Sequence, residues 1–298
     1  MKIVKEYIMN FFNGFCMALA DSVPGVSGGT IAFLLGFYDK FIDSLDDLFR
    51  GKLEDKKKAL IFLIKIGIGW VAGFAASATI LSNLFSTKIY LMSSLFIGFI
   101  IAAIPLIIKQ EIDSFKGHLK NLIFTLIGII LVVTITLLNG NTNLNINLGD
   151  ANLFTYIYIF FAASVAITAM VLPGISGSTL LLVFGLYIPI MGAIKSLLTL
   201  DFSVLPVLIV FGFGVLFGII FFVKLIRYLL TNYRSAVCYT IIGMMLGSLY
   251  SIVMGPTTLD EPLKMLTFET FDILFFAIGI IIIGALEIIR VKLNKADV

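Results

Sequence analysis

Residues 21–30 read DSVPGVSGGT, and residues 172–179 read LPGISGST. Both stretches gather residue types that hold an anion without covalent chemistry. Pro24 and Pro173 stop a preceding helix, because the residue before a proline is pushed out of the helical region. Gly25, Gly28, Gly29, Gly174 and Gly177 permit close backbone approach. Ser22, Ser27 and Thr30, with Ser176, Ser178 and Thr179, supply hydroxyls that can cap the next helix. Unpaired N–H groups at a helix start, assisted by the dipole, form an anion seat. The competing reading is close packing by small residues. Duplication, and the clustering of hydroxyls beside Pro and Gly, favour a binding site.

Other chemistries are poorly supplied. GVSGGT lacks the spacing and the lysine of a nucleotide-binding P-loop, so ATP hydrolysis is not supported. The single histidine, His118, lies in a polar loop, and no group of residues has metal-ligand spacing. We expect no enzyme activity, no metal, no cofactor and no nucleic-acid partner. Cys16 and Cys238 read as small buried hydrophobes.

Ionisable residues in apolar segments are functional candidates. Asp21 precedes the first break, where the second copy has Met170. It reads either as a proton carrier or as a helix-end charge. Asp39 is likewise unmatched, opposite Ile188. Lys65, Arg227 and Glu287 lie near span ends, where snorkelling or pairing competes with a role at the site.

The elements that position these residues are membrane helices. The chain is 60% hydrophobic and 13% charged over 298 residues. Its mean hydropathy is +1.10. Apolar runs of bilayer-spanning length recur, with no period-two alternation of a barrel. The chain is also written twice. VPGVSGGTIAFLLGFY at 23–38 matches LPGISGSTLLLVFGLY at 172–187 with a constant offset of 149. Gly67, Gly69 and Gly73 then match Gly212, Gly214 and Gly218, and these glycines are expected to pack helices together. Each half holds an apolar approach, the break with a short helix, and three spans. The expected division is 1–138, a polar linker at 139–151, and 152–298.

Charge sets the expected topology. Lys and Arg concentrate at 40–58, 109–120 and 224–235 and at the C-terminus, and are sparse in the intervening loops. If each break is a re-entrant hairpin, each half crosses three times. All basic loops then fall on the cytoplasmic face, as the positive-inside rule requires. An odd crossing number inverts the second half relative to the first, and the parity is the same in the alternative where both arms of each hairpin span fully. The fold expected is all-α and integral to the membrane: an inverted repeat of a re-entrant hairpin plus three spans. Both termini are cytoplasmic. DSLDDLFRGKLEDKKK at 43–58 reads as a solvated cytoplasmic loop, with an interfacial helix as the alternative. Inverted-repeat transporters place substrates between broken helices near the midplane.

The paired VPGVSGGT and LPGISGS motifs, with GFY at 36–38, resemble the PopT-type polyprenyl-phosphate transporter family, long described as a bacterial and archaeal membrane domain of unknown function. The resemblance covers essentially the whole chain. It implies a translocase returning undecaprenyl phosphate from the outer to the cytoplasmic leaflet of the cell membrane. That carrier serves peptidoglycan and other envelope polymers. The phosphate would sit on the donors of Gly25–Thr30 and Gly174–Thr179, with its tail in lipid. No arginine in the motifs clamps a phosphate; Lys65, Lys88 and Arg227 are the cations left to serve. The alternative function is a transporter or channel for a small anion or other solute.

Overall fold

In the computed structural model, residues 2–21, 27–139, 152–174, 177–198, 200–258 and 262–295 are described. Among them there is no β-strand. Thirteen α-helices run in order, joined by short 3-10 turns. They are α1 (Lys2–Asp21), α2 (Gly28–Leu34), α3 (Tyr38–Arg50), α4 (Leu53–Thr87), α5 (Ile89–Gln110), α6 (Ile112–Phe115) and α7 (Leu122–Asn139), then α8 (Leu153–Val171), α9 (Gly177–Val183), α10 (Tyr187–Leu198), α11 (Leu205–Asn232), α12 (Arg234–Met254) and α13 (Ile273–Lys295). Among the described residues six segments are long and apolar enough to cross a membrane; they lie within 53–77, 89–110, 119–138, 153–171, 202–232 and 234–257, so α8 is one of them, while α13 has a shorter apolar stretch at Ile273–Ile288. This is a multi-pass helical membrane protein.

The expected loop at 43–58 is instead helix. α3 and α4 are separated only by Gly51 and Lys52. The charge density that suggests a loop belongs to an amphipathic helix, which buries Ile42 and keeps its acids toward one side.

Glycines set the closest helix crossings. A Cβ on Gly73 would lie 2.5 Å from the Phe15 carbonyl and 3.0 Å from Ala18, and one on Gly69 would strike the Phe11 carbonyl. Gly214 and Gly218 meet Phe160 and Ser164 in the same way. Thus α1 runs parallel to α4, and α8 parallel to α11. Gly67 and Gly212 do not pack as expected; among the described residues, no neighbouring helix comes within 4 Å of a Cβ placed on either. Residues two apart on a helix point to different faces, so only one of each glycine pair can meet the neighbour.

The remaining long helices pair across the two halves. Asn121 bonds Ser235, Thr125 bonds the Tyr239 carbonyl, and Thr136 bonds Ser251, so α7 runs parallel to α12. Ser94 accepts the Asp272 N–H at 2.9 Å and Gln110 donates to Glu287 at 3.4 Å, so α5 runs parallel to α13.

The short helices α2 and α9 fold back toward the end from which α1 and α8 came. Tyr158, in the second turn of α8, donates to the carbonyl of Phe184 just past α9 at 2.8 Å. All seven residues of α2 are buried. A helix this short is unstable alone and persists here through its packing. Both stop identically. Gly36 and Gly185 take left-handed φ values of 75° and 64°. The following N–H groups of Phe37 and Leu186 reach back to the carbonyls of Ala32 and Leu181 at 3.0 and 2.8 Å. This is the glycine stop that closes a helix C-terminus. The repeated GFY/GLY is therefore a structural cap.

Candidate functional site

Ser27 has extended backbone (φ −128°, ψ 142°) and caps α2, its Oγ accepting the Gly29 N–H at 3.1 Å. The same hydroxyl donates to the carbonyl of Leu172, in the second copy, at 2.8 Å. Thr30 Oγ1 accepts the N–H of Gly174 at 2.9 Å. Gly174 has φ 88°, a conformation that side chains resist. Its carbonyl accepts from Ser248 Oγ at 2.9 Å. The two breaks are thus joined to each other, and the join is dry: Ser27 is 0% and Thr30 5% exposed.

Gly29 is the point of closest approach. A Cβ there would lie 2.6 Å from the Val171 carbonyl and 3.0 Å from Pro173 N. The second copy has Ser178 in its place, whose side chain lies outside the described residues. Ser22, Gly25 and Ser176 also lie outside them. Gly177 is buried against Met170 and the Ala166 carbonyl, and the Thr179 side chain is half-buried.

The sequence reading expected free helix-start donors, but those of the first copy are paired. The Gly28 N–H donates to Asp21 Oδ1 at 2.6 Å, and the Thr30 N–H to the Ser27 carbonyl at 2.9 Å. Asp21 Oδ2 in turn accepts from Trp70 Nε1 at 3.1 Å. An oxyanion, the protein's own, already occupies the start of α2. A Cβ on Gly28 would meet that carboxylate at 2.6 Å.

Among the charged candidates only Asp21 is at the joined breaks. Lys65 reaches Glu6 at 3.1 Å and lies 3.9 Å over the Tyr7 ring, so it pairs with α1 instead of snorkelling. Asp39 pairs with Arg234 at 2.9 Å. Arg227 is held by Asp43, Asp46 and Asp47 at 2.8, 2.6 and 3.1 Å, which leaves it unsuited to clamp a phosphate at the breaks. Glu287 receives Gln110 from α5. Lys88 is exposed at the start of α5. Among the described residues no group of His, Cys, Asp and Glu is arranged to hold a metal ion.

Two residues at the site escaped the sequence reading. Trp70, the only tryptophan, holds the Asp21 carboxylate, and Ser248 holds Gly174. Their signals were a lone indole and a serine inside apolar spans, and neither belongs to the repeated motif.

Two curated proteins resemble the chain over most of its length. A Staphylococcus aureus protein named polyprenyl-phosphate transporter is 37% identical over 257 residues, 84% of this chain and 87% of that protein. A Vibrio cholerae protein of the same name is 33% identical over 257 residues, 83% of this chain and 78% of that protein. No solved structure matches the chain. The pattern of a family described as undecaprenyl phosphate translocase-like matches residues 17–270. With the paired breaks in place and most of the chain covered, this protein belongs to the undecaprenyl phosphate translocase-like family.

Proposed function

We propose that the protein is a translocase for a polyprenyl phosphate carrier lipid, undecaprenyl phosphate in the first instance. It returns the headgroup from the outer to the cytoplasmic leaflet of the cell membrane, for reuse in envelope polymers such as peptidoglycan. The phosphate takes the place that Asp21 holds on the Gly28 N–H. It gains the Ser27, Thr30 and Gly174 groups once the breaks part, while the polyprenyl tail stays in lipid.

One observation carries this reading. Two buried breaks meet through hydroxyl and backbone groups, and an oxyanion sits on one of them. Irregular backbone at membrane depth is tolerated where it is buried in protein or lines a cavity. Names of the relatives point to the same class of cargo. Both are transporters and not enzymes, and the site's groups bind without reacting.

We further propose that the chain divides at 139–151 into inverted halves, each a re-entrant hairpin plus three spans. The helix directions support this. α3 precedes α4 at the end where Arg227 of α11 pairs with Asp43, so α4 leaves that end as α11 arrives. At the same end Glu111 follows α5 and pairs with Arg234, the first residue of α12. α7 leaves alongside α12, and α13 arrives alongside α5. Each span of one half therefore runs opposite to its counterpart in the other. Basic loops gather at this single end, which we assign to the cytoplasm with both termini. Asp21 carries a proton in the cycle.

The test is leaflet-resolved transfer of undecaprenyl phosphate in proteoliposomes. Headgroup movement faster than in protein-free vesicles supports the reading. Equal rates overturn it. Movement of inorganic phosphate without the lipid would favour a small-anion transporter instead.

A further inference from the structure

Charges that the anion-holding reading does not use fasten the end of the bundle carrying the basic loops. α3 carries Asp39, Asp43, Asp46 and Asp47 at spacings that share one helix face. Arg227, near the end of α11, pairs with the last three. Arg50 joins Asp46 and donates to the Ile220 carbonyl at 2.7 Å. Arg234 donates Nε and Nη2 to Glu111 at 2.8 and 2.6 Å, and Nη1 to Asp39 at 2.9 Å. Two arginines from the second half thus hold down α3, the helix after α2.

A polar cavity of about 140 Å³ lies between these groups, lined by Phe33, Tyr38, Gln110, Glu111 and Arg234 among others. Tyr38 is 2% exposed, and its hydroxyl has no hydrogen-bond partner among the described residues. Phe33 belongs to α2, whose opposite end carries Ser27 and Thr30. A seven-residue helix rises about 10 Å, so the cavity lies roughly that far from the joined breaks. The corresponding helix of the second half, α10, is YIPIMGAIKSLL and carries no acid.

We propose that the Arg234–Glu111–Asp39 cluster, braced by Arg227 on α3, is a gate over this vestibule. It closes the basic-loop end while the breaks are joined, and it parts to pass an anionic headgroup. This rests on the reading that the breaks hold that headgroup. Three of the five Arg234 N–H groups are committed to carboxylates. A phosphate entering the vestibule attracts the guanidinium, for which it is a strong bidentate partner, and repels Glu111 and Asp39. Both forces separate the pair.

The test uses the full chain in proteoliposomes, with Cys16→Ala, Cys238→Ala and a Gln110→Cys reporter in the vestibule. A membrane-impermeant maleimide reads its accessibility. Adding Arg234→Gln should raise the labelling rate about tenfold. The exchanged pair Arg234→Glu with Glu111→Arg should restore slow labelling. Equal rates with and without Arg234→Gln overturn the gate. A second arm bridges Asp39→Cys and Arg234→Cys with a short cleavable thiol cross-linker. Bridging should stop polyprenyl-phosphate transfer and cleavage should restore it. Undiminished transfer in the bridged protein overturns the gate; if Arg234→Gln does not fold, Glu111→Gln, which keeps Arg234, takes its place in the labelling arm with the same two outcomes. Failure of the parent protein to move lipid counts against the transport reading alone, and the labelling rates still decide the gate.

Discussion

Thr30 of the first break accepts the backbone N–H of Gly174 of the second at 2.9 Å. The bond ties residues from opposite halves of the chain, at a point where Thr30 is almost wholly buried. Thr30→Val keeps the shape and removes the acceptor, leaving a buried N–H unpaired at a cost of about 1–3 kcal/mol. Thr30→Ser should retain most of the stability. Thermal unfolding of the two variants in detergent checks the difference. Equal losses would mean that the methyl group, not the hydrogen bond, holds the join.

Gly29→Ala should be severe although it adds one methyl group. The new Cβ would lie 2.6 Å from the Val171 carbonyl, a backbone atom that cannot swing aside. Forcing the breaks apart should cost about 1–3 kcal/mol. Gly67→Ala is the control: its new Cβ meets nothing within 4 Å among the described residues, and a helix interior gains up to about 1 kcal/mol when alanine replaces glycine. Denaturation midpoints that fall for the first and hold or rise for the second are the expected result.

Asp21→Asn tests the proton role. The amide can still accept the Gly28 N–H, yet it offers NH2 to Trp70 Nε1, which needs an acceptor. If Asp21 carries the proton, the variant's transfer rate should lose its pH dependence. A pH profile that keeps the wild-type shape removes Asp21 from that role. Trp70→Phe should keep a pH-dependent rate, since it leaves the Asp21 carboxyl itself in place.

Acid should loosen the basic-loop end. Hydrogen bonds from Arg234 hold the Glu111 carboxyl below its ordinary value of 4.5, outweighing the opposing effect of its burial. A depressed folded-state value means that Glu111 stabilises the protein fully above 4.5, and that this is lost as pH falls through the lowered value. Unfolding temperatures followed from neutral to acid pH should fall more steeply for the parent than for Glu111→Gln over that window. Parallel curves would mean that the pair adds nothing to stability.

The breaks were legible in the sequence because Pro, Gly and hydroxyl residues interrupt apolar runs, and because the interruption occurs twice. The concentration of Lys and Arg in a few segments was legible because these residues are rare elsewhere. α3 was less so: its acids read as solvent-facing until Arg227 and Arg234 are brought beside them from more than 180 residues away. Periodicity reports which residues share a face, not which distant helix covers it. Asp21 stood out by its asymmetry, but its two partners could not be read. The donors to its carboxylate come from a later turn of its own hairpin and from the middle of α4. The expectation of free helix-start N–H groups failed for a simple reason. Buried donors find acceptors, and in the absence of a ligand they take those of the protein.

Gly29 also bears on the origin of direction. Where two copies of one motif cross, the same bulk cannot occupy the crossing from both sides. One copy has glycine there and the other serine, and the copy with glycine also carries the carboxylate. A device with interchangeable halves would rest equally well facing either compartment. The tips here are unequal, and what sets them apart is a hydroxymethyl group on one and a carboxyl on the other.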